Sequence, residues 1–113
     1  MGKDNVVLCA SSAYKRKYYF NEDFNGLPEQ VKNELQIMCV LFTEDVGGVL
    51  SLEFKEDGTL ILQTFSEEDD FLYDDIGSVL KIKEIRRTKR ELLESLELYY
   101  KTFFLGGDTS DLI

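Results

Sequence analysis

The sequence contains no histidine, and this absence narrows the chemistry available to the protein. Histidine is the commonest general base and the usual nitrogen ligand of zinc, and nucleophile–histidine dyads and triads depend on it. Ordinary hydrolase chemistry is therefore disfavoured, and we predict neither catalytic residues nor enzyme activity. Other reactive groups are present, such as Cys39 and Asp45, but nothing in the sequence connects them into a site.

Phosphate loops and metal-binding motifs are missing as well. The eight glycines form neither GxxxxGK[ST] nor GxGxxG, the patterns that hold phosphates at the start of a helix. Six acids lie between residues 67 and 75, but they lack the spacing and the internal glycine of an EF-hand. We therefore predict no cofactor and no metal, and we interpret this acidic run as a solvated loop that leads into a helix. Calcium or magnesium binding is the alternative.

Long apolar stretches and cysteines are scarce. No segment has the roughly 20 apolar residues of a membrane span, and the N-terminus lacks the apolar stretch of a secretory signal. A cytoplasmic protein without a membrane partner is predicted. The two cysteines, Cys9 and Cys39, lie among apolar neighbours, which favours buried, reduced thiols over a disulfide.

The composition is that of a folded, acidic protein. Its 113 residues fit one domain, predicted at about 1–105, and the small and polar residues 106–113 are predicted to form a disordered tail. Apolar residues make up 43% of the chain and aromatic residues 12%, more than a disordered chain contains. The net charge of −9 opposes binding of the whole protein to nucleic acid or to an anionic membrane.

Two local patterns predict the first part of the fold. Within residues 48–65, apolar and polar residues alternate on both sides of Gly58, as in a β-hairpin. Between about 28 and 44, apolar residues recur at steps of three and four after a proline, which predicts a helix that ends at the glycine pair 47–48.

A second helical pattern runs from about residue 74 to 104 without a proline. Its apolar residues keep an approximate helical phase, as on one side of a helix: Ile76, Val79, Leu80, Ile85, Leu92, Leu96, Tyr99 and Phe103. If unbroken, about 31 residues at 1.5 Å rise would span roughly 46 Å. This exceeds the ~34 Å diameter of a compact domain of this size, so the helix must break, protrude or lie against a second copy. Residues 6–10 suit a strand, and 16–20 suit either its hairpin partner or a short helix. The predicted class is α+β, a small antiparallel sheet with helices on one face.

Positive charge is concentrated in two short runs. Six of the 13 basic residues lie within residues 81–90 of the predicted long helix, and residues 15–17 form the second run. The six are Lys81, Lys83, Arg86, Arg87, Lys89 and Arg90. We interpret them as partners of nearby acids, Arg87 with Glu91 and Arg90 with Glu94 at i,i+4. A patch for an anion, a nucleic acid or an acidic partner is the alternative.

Glu44 and Asp45 are unusual because acids in a last helical turn face the negative end of the helix dipole. If the helix ends near Phe42, both acids lie in a turn and need no partner. Otherwise they pair with a basic run of this chain or of another copy.

Five short segments carry a family resemblance. They are Tyr18-Tyr19-Phe20-Asn21, Leu27-Pro28-Glu29, Glu34-Leu35-Gln36, Glu44-Asp45-Val46-Gly47-Gly48 and Leu96-Glu97-Leu98-Tyr99-Tyr100. Together they resemble a family of short proteins of unknown function from clostridial-type bacteria, over about residues 5–106. The resemblance implies a bacterial cytoplasmic setting and carries over no activity, ligand or site residue.

The predicted function is a non-catalytic protein-interaction module that binds another protein or forms a homodimer through its C-terminal helix. Its apolar anchors are predicted to be Leu92, Leu96, Tyr99 and Phe103. The basic run 81–90 is predicted to form a polar rim, with Glu44 and Asp45 as further contacts. The alternative is anion or nucleic-acid binding through the runs 15–17 and 81–90.

Overall fold

A computed structural model describes residues 5–106 and confirms the α+β class, with a four-stranded antiparallel sheet and three α-helices in that range. The elements are β1 (Val6–Ser12), β2 (Lys17–Phe20), α1 (Glu29–Val46), β3 (Val49–Phe54), β4 (Leu60–Phe65), α2 (Asp75–Thr88) and α3 (Arg90–Phe103). A 3₁₀ turn over Glu22–Phe24 precedes α1. Apart from residue 106, the predicted tail lies outside the described residues.

The sheet has the strand order β2-β1-β3-β4. β2 pairs with β1, with Ser12 opposite Lys17, so the hairpin interpretation of residues 16–20 is confirmed. The predicted hairpin at 48–65 is also confirmed, as β3 and β4. Its turn is closed by a 2.8 Å hydrogen bond from the Lys55 N–H to the Thr59 carbonyl, and Gly58 there has a φ of +92°.

The glycine pair 47–48 sets the geometry between α1 and β3. Gly47 has a φ of +83° and its N–H donates to the Thr43 carbonyl, which ends the helix. Gly48 has a φ of +69°, and a Cβ there would lie 2.5 Å from the carbonyl oxygen of Phe65. Only glycine therefore lets the chain turn directly from α1 into the sheet. Since α1 continues to Val46, the interpretation that it ends near Phe42 is wrong.

One face of the sheet packs against α1 and α3 and forms the core, while α2 packs on these two helices. Cys9 and Ser11 of β1 face α1, with 3.9 Å between the sulfurs of Cys9 and Cys39, which are both buried and form no disulfide, as predicted. Towards α3, the rings of Phe54 and Tyr100 stack with centroids 4.2 Å apart and 9° between their planes. Such a contact contributes about 0.5–1.5 kcal/mol beyond burial of the rings, so it fixes α3 on the hairpin.

The opposite face of the sheet carries a polar network. Glu53 accepts hydrogen bonds from Ser51 Oγ at 2.8 Å, Asn5 Nδ2 at 3.1 Å and Gln63 Nε2 at 3.3 Å. Along β3, Ser51 and Glu53 alternate with the core residues Leu50, Leu52 and Phe54. Because successive side chains of a strand point to opposite faces of the sheet, the polar network and the core lie on opposite faces. Among the described elements, the helices leave this face uncovered.

The predicted long helix is two helices separated at Lys89, which has φ −110° and ψ +23°. The Lys89 N–H donates to the Ile85 carbonyl at the end of α2, and the Lys89 carbonyl accepts from the Leu93 N–H at the start of α3. The two helices therefore adjoin at a bend that consists of Lys89 alone. The bend lets α2 pack on α1 while α3 packs on the hairpin, which a straight helix of this length could not do.

Candidate interaction surfaces

Two ion pairs join α2 to α1. Lys81 Nζ lies 2.7 Å from Asp45 Oδ2, and Lys89 Nζ lies 2.8 Å from Glu34 Oε2. The hydrogen bond to Asp45 and its charge raise the pKa of Lys81. Because Asp45 lies at the end of α1 and Glu34 near its start, the helices are antiparallel. Pairing of Asp45 with a basic run of the same chain is thereby confirmed, whereas Glu44 is exposed and forms no ion pair among residues 5–106.

A groove lies between these two ion pairs. It has a volume of about 580 Å³, and its lining includes the buried side chains of Met38, Phe42 and Ile85. Ile37 and Leu41 of α1 also line it and are largely exposed, at 60% and 53%. The groove is therefore apolar between two charged ends.

The remaining cations of the basic run surround the bend. Lys83, Arg86, Arg87 and Arg90 are exposed and line, with Lys89, an open cavity of about 1020 Å³. The predicted i,i+4 pairing is wrong for the described residues. Arg87 belongs to α2 and Glu91 to α3, on opposite sides of the break at Lys89, and no ion pair joins them. Arg90 and Glu94 are both exposed to water, where an ion pair gains little. Within residues 5–106, four cations thus lie together without a carboxylate within 4 Å.

The second basic run lies elsewhere. Arg16 and Lys17 line a separate cavity of about 600 Å³, beside Gln36 and Glu44 on another face of α1. Its lining shares no residue with the cavity at the bend. The structure therefore does not combine the runs 15–17 and 81–90 into one patch.

The four predicted anchors differ in their accessibility. Leu96 is 2% exposed and belongs to the core, so it is unavailable to a partner. Leu92 and Tyr99 are half-buried and pack against the core. Phe103 is 69% exposed, and its ring lies 4.9 Å from that of Tyr99. Of this set, Phe103 alone presents most of its side chain to solvent.

A second group of exposed apolar side chains was missed by the sequence pattern. We call it the apolar stripe: Phe71 (94% exposed), Leu72 (93%), Ile76 (76%), Val79 (57%) and Leu80 (60%). The helical spacing predicted that Ile76, Val79 and Leu80 lie on the same buried side of the helix as Ile85. The buried side of α2 instead runs through Ser78 and Ile85, seven residues apart. The acids that flank the stripe on both sides of residues 71–73 were the available signal of exposure.

The acidic run before α2 is held by specific hydrogen bonds. The Tyr14 hydroxyl donates to Asp70 Oδ2 at 2.6 Å and accepts from the Glu67 N–H at 2.8 Å, and the bond to Asp70 raises the pKa of Tyr14. Asp74 caps α2 by accepting from the Gly77 N–H. The run is thus a loop that leads into a helix, as interpreted. Within residues 5–106, no group of three or more acids or cysteines is arranged to hold a metal ion.

Comparison with known proteins places the chain in a family. Residues 5–108 match the Family of unknown function (DUF6145), and the chain belongs to that family. No curated protein and no solved structure shows significant similarity to it. No helix among the described residues is both long and apolar enough to cross a membrane.

Proposed function

We propose that the protein is a non-catalytic interaction module of the bacterial cytoplasm, of clostridial-type origin, that self-associates through residues 75–103. The observation that carries the proposal is the apolar stripe. Val79 and Leu80 lie three and four residues after Ile76 on α2, so these three exposed apolar side chains are neighbours, and exposed apolar patches mark interaction surfaces. The stripe shifts the centre of the interface from the predicted anchors of α3 to α2.

The apolar groove between α1 and α2 supports the same proposal. It lies between two ion pairs whose side chains are 36–53% exposed, and it adds the exposed side chains of Ile37 and Leu41 to the apolar surface. Ion pairs so exposed add little to stability, but they fix the position of α2 and therefore of the stripe.

Light scattering across the micromolar range tests the proposal. We expect a mass that rises from one to two chains as concentration increases. Leu80→Asp should lower the dimer fraction strongly because it sets a charge on the stripe. Tyr19→Asp is the control, since Tyr19 is 54% exposed on the sheet and lies outside both the stripe and the groove. A monomeric mass at every concentration would overturn self-association.

A second candidate function is binding of an anionic ligand in the cavity at the bend. Its support is a group of cations there, Lys83, Arg86, Arg87 and Arg90, that form no ion pair with another described residue, in a chain whose net charge is −9. Such binding should weaken steeply with salt because bound counterions are released. Retention on heparin at low salt should be lost in Arg86→Gln/Arg87→Gln and kept in Lys15→Gln/Arg16→Gln. No retention of the unmodified protein would exclude this candidate.

A further inference from the structure

The exposed face of α2 changes character along its length. Ile76, Leu80, Lys83 and Arg87 follow one another at steps of four, three and four, so they lie on one face of the helix. This face points away from the buried Ser78 and Ile85, and its first half is apolar while its second half is cationic.

The ends of α2 carry opposite charge. Asp74 and Asp75 lie at its N-terminus, behind the acidic loop, and Arg86 and Arg87 lie in its last turn. The signs complement the helix dipole at each end, but no opposite charge within residues 5–106 lies within 4 Å of Asp75 or Arg86. Among the described residues, the two charged ends therefore remain unmatched.

We propose that a second copy of this chain covers this face, with the two α2 helices packed antiparallel about a two-fold axis at Leu80. The inference rests on the self-association proposed above and specifies its geometry. Reversal of direction brings the acidic end of each helix to the basic end of the other. It places Leu80 against Leu80 at the centre and Ile76 of each copy beside Lys83 of the other. Both copies use the same surface in this contact, so association stops at a dimer.

The pairing of individual residues follows from the helical repeat. With the axis at Leu80, residues whose numbers sum to about 160 lie opposite each other. Asp75 and Arg86 occupy the same flank of the exposed face, which also carries Val79. Each Asp75 is therefore opposite Arg86 of the second copy, and Leu80 contacts Leu80. A parallel arrangement would instead oppose like charges at both ends.

The length of α2 limits the affinity. Its 14 residues at 1.5 Å rise extend for about 21 Å, a short contact by the standard of permanent dimers. The exposed Phe71 and Leu72 add apolar surface beside the N-terminus of α2. We expect a reversible dimer with a dissociation constant in the micromolar range.

Charge exchange tests the antiparallel arrangement in the full chain. Asp75→Lys and Arg86→Glu should each raise the dissociation constant about tenfold or more, because each change creates two repulsive contacts per dimer. The double variant should return to within about threefold of the unmodified protein, since attraction is restored with reversed signs. Lys55→Glu, which makes the same charge change on the sheet side, is the control and should have no effect.

Cross-linking tests the position of the axis. A short bismaleimide should join two Leu80→Cys chains efficiently and should not join Tyr19→Cys chains, whose cysteine lies on the uncovered face of the sheet. The native cysteines are buried and remain in place. If the protein is a dimer by light scattering but Leu80→Cys is not cross-linked and the double variant is not rescued, this geometry is wrong and self-association stands. If the protein is monomeric, both are wrong.

Discussion

Lys81 Nζ lies 2.7 Å from Asp45 Oδ2, and this contact joins the middle of α2 to the last turn of α1. Glu44 precedes Asp45 in that turn and has no such partner among residues 5–106. Both acids thus lie at the negative end of the helix dipole, but only Asp45 has a lysine beside it. A comparison of variants at the two positions therefore measures how much the Lys81–Asp45 ion pair contributes to stability.

Asp45→Lys should lower the urea midpoint of unfolding slightly, because the exchange places two lysines side by side. Glu44→Lys should leave the midpoint unchanged or raise it slightly, since a cation then replaces an acid at the negative end of the dipole. Urea titrations followed by circular dichroism would measure both. Equal midpoints for the two variants would contradict a stabilising role of the contact.

Tyr18→Phe should stabilise the protein. The Tyr18 hydroxyl is buried, and it has no hydrogen-bond partner among the described residues. Burial, together with the Cys9 thiol, raises the pKa of Tyr18, so the group stays neutral. An unsatisfied buried hydroxyl costs about 1–3 kcal/mol, and its removal should recover about 1 kcal/mol of the free energy of unfolding.

Tyr73→Phe is the matched control for this change. The Tyr73 hydroxyl donates a 2.8 Å hydrogen bond to Ser78 Oγ, so its removal should cost about 0.5–1.5 kcal/mol. Denaturant titration of the two variants should therefore give shifts of opposite sign. A loss of stability in Tyr18→Phe as large as in Tyr73→Phe would show that its hydroxyl has a partner.

Both cysteines should be unreactive in the folded protein. Cys9 and Cys39 are fully buried, and the hydrogen bond between their thiols, together with burial, raises the pKa of Cys39. The thiolate is the reactive form, so a disulfide reagent such as dithionitrobenzoate should modify neither thiol until the chain unfolds. Ser66→Cys supplies an exposed thiol as a positive control. Rapid modification of two thiols per native chain would contradict this burial.

Phe54→Ala should lower the free energy of unfolding by about 3–5 kcal/mol, because it leaves a cavity beside Tyr100 and Phe24 in the core. Phe71→Ala should change it by less than about 0.5 kcal/mol, since Phe71 is 94% exposed. Both changes are measured by chemical denaturation at concentrations where the protein is monomeric. A large loss in Phe71→Ala would assign that residue to the core.

The local elements of this fold are readable from the sequence because their signals are local. The β3–β4 hairpin follows from alternation around Gly58, and α1 follows from spacing between Pro28 and the glycine pair 47–48. The strand β2 was one of two open alternatives. Four residues carry too few periods to separate a strand from a short helix, and pairing with β1 decides the outcome.

The surface is less predictable than the elements. Periodicity identified the apolar positions of α2, but it assigned Ile76, Val79 and Leu80 to the buried side along with Ile85. Apolar residues around most of a helix do not define a single face, and packing on α1 then selects which side is covered. The same packing removes Leu96 from the predicted interface and leaves Phe103 exposed.

The sequence by itself determined the chemistry that is disfavoured, the α+β class and the concentration of positive charge in residues 81–90, because these depend on residue type and short-range order. Only the tertiary structure decided that the C-terminal helix bends at Lys89, that Lys81 and Lys89 pair with α1, and that an apolar and a cationic half share the open face of α2. These outcomes depend on contacts between residues more than 30 positions apart, such as Lys81 with Asp45 and Lys89 with Glu34. A pattern within one helix contains no information about the partner on which that helix will pack.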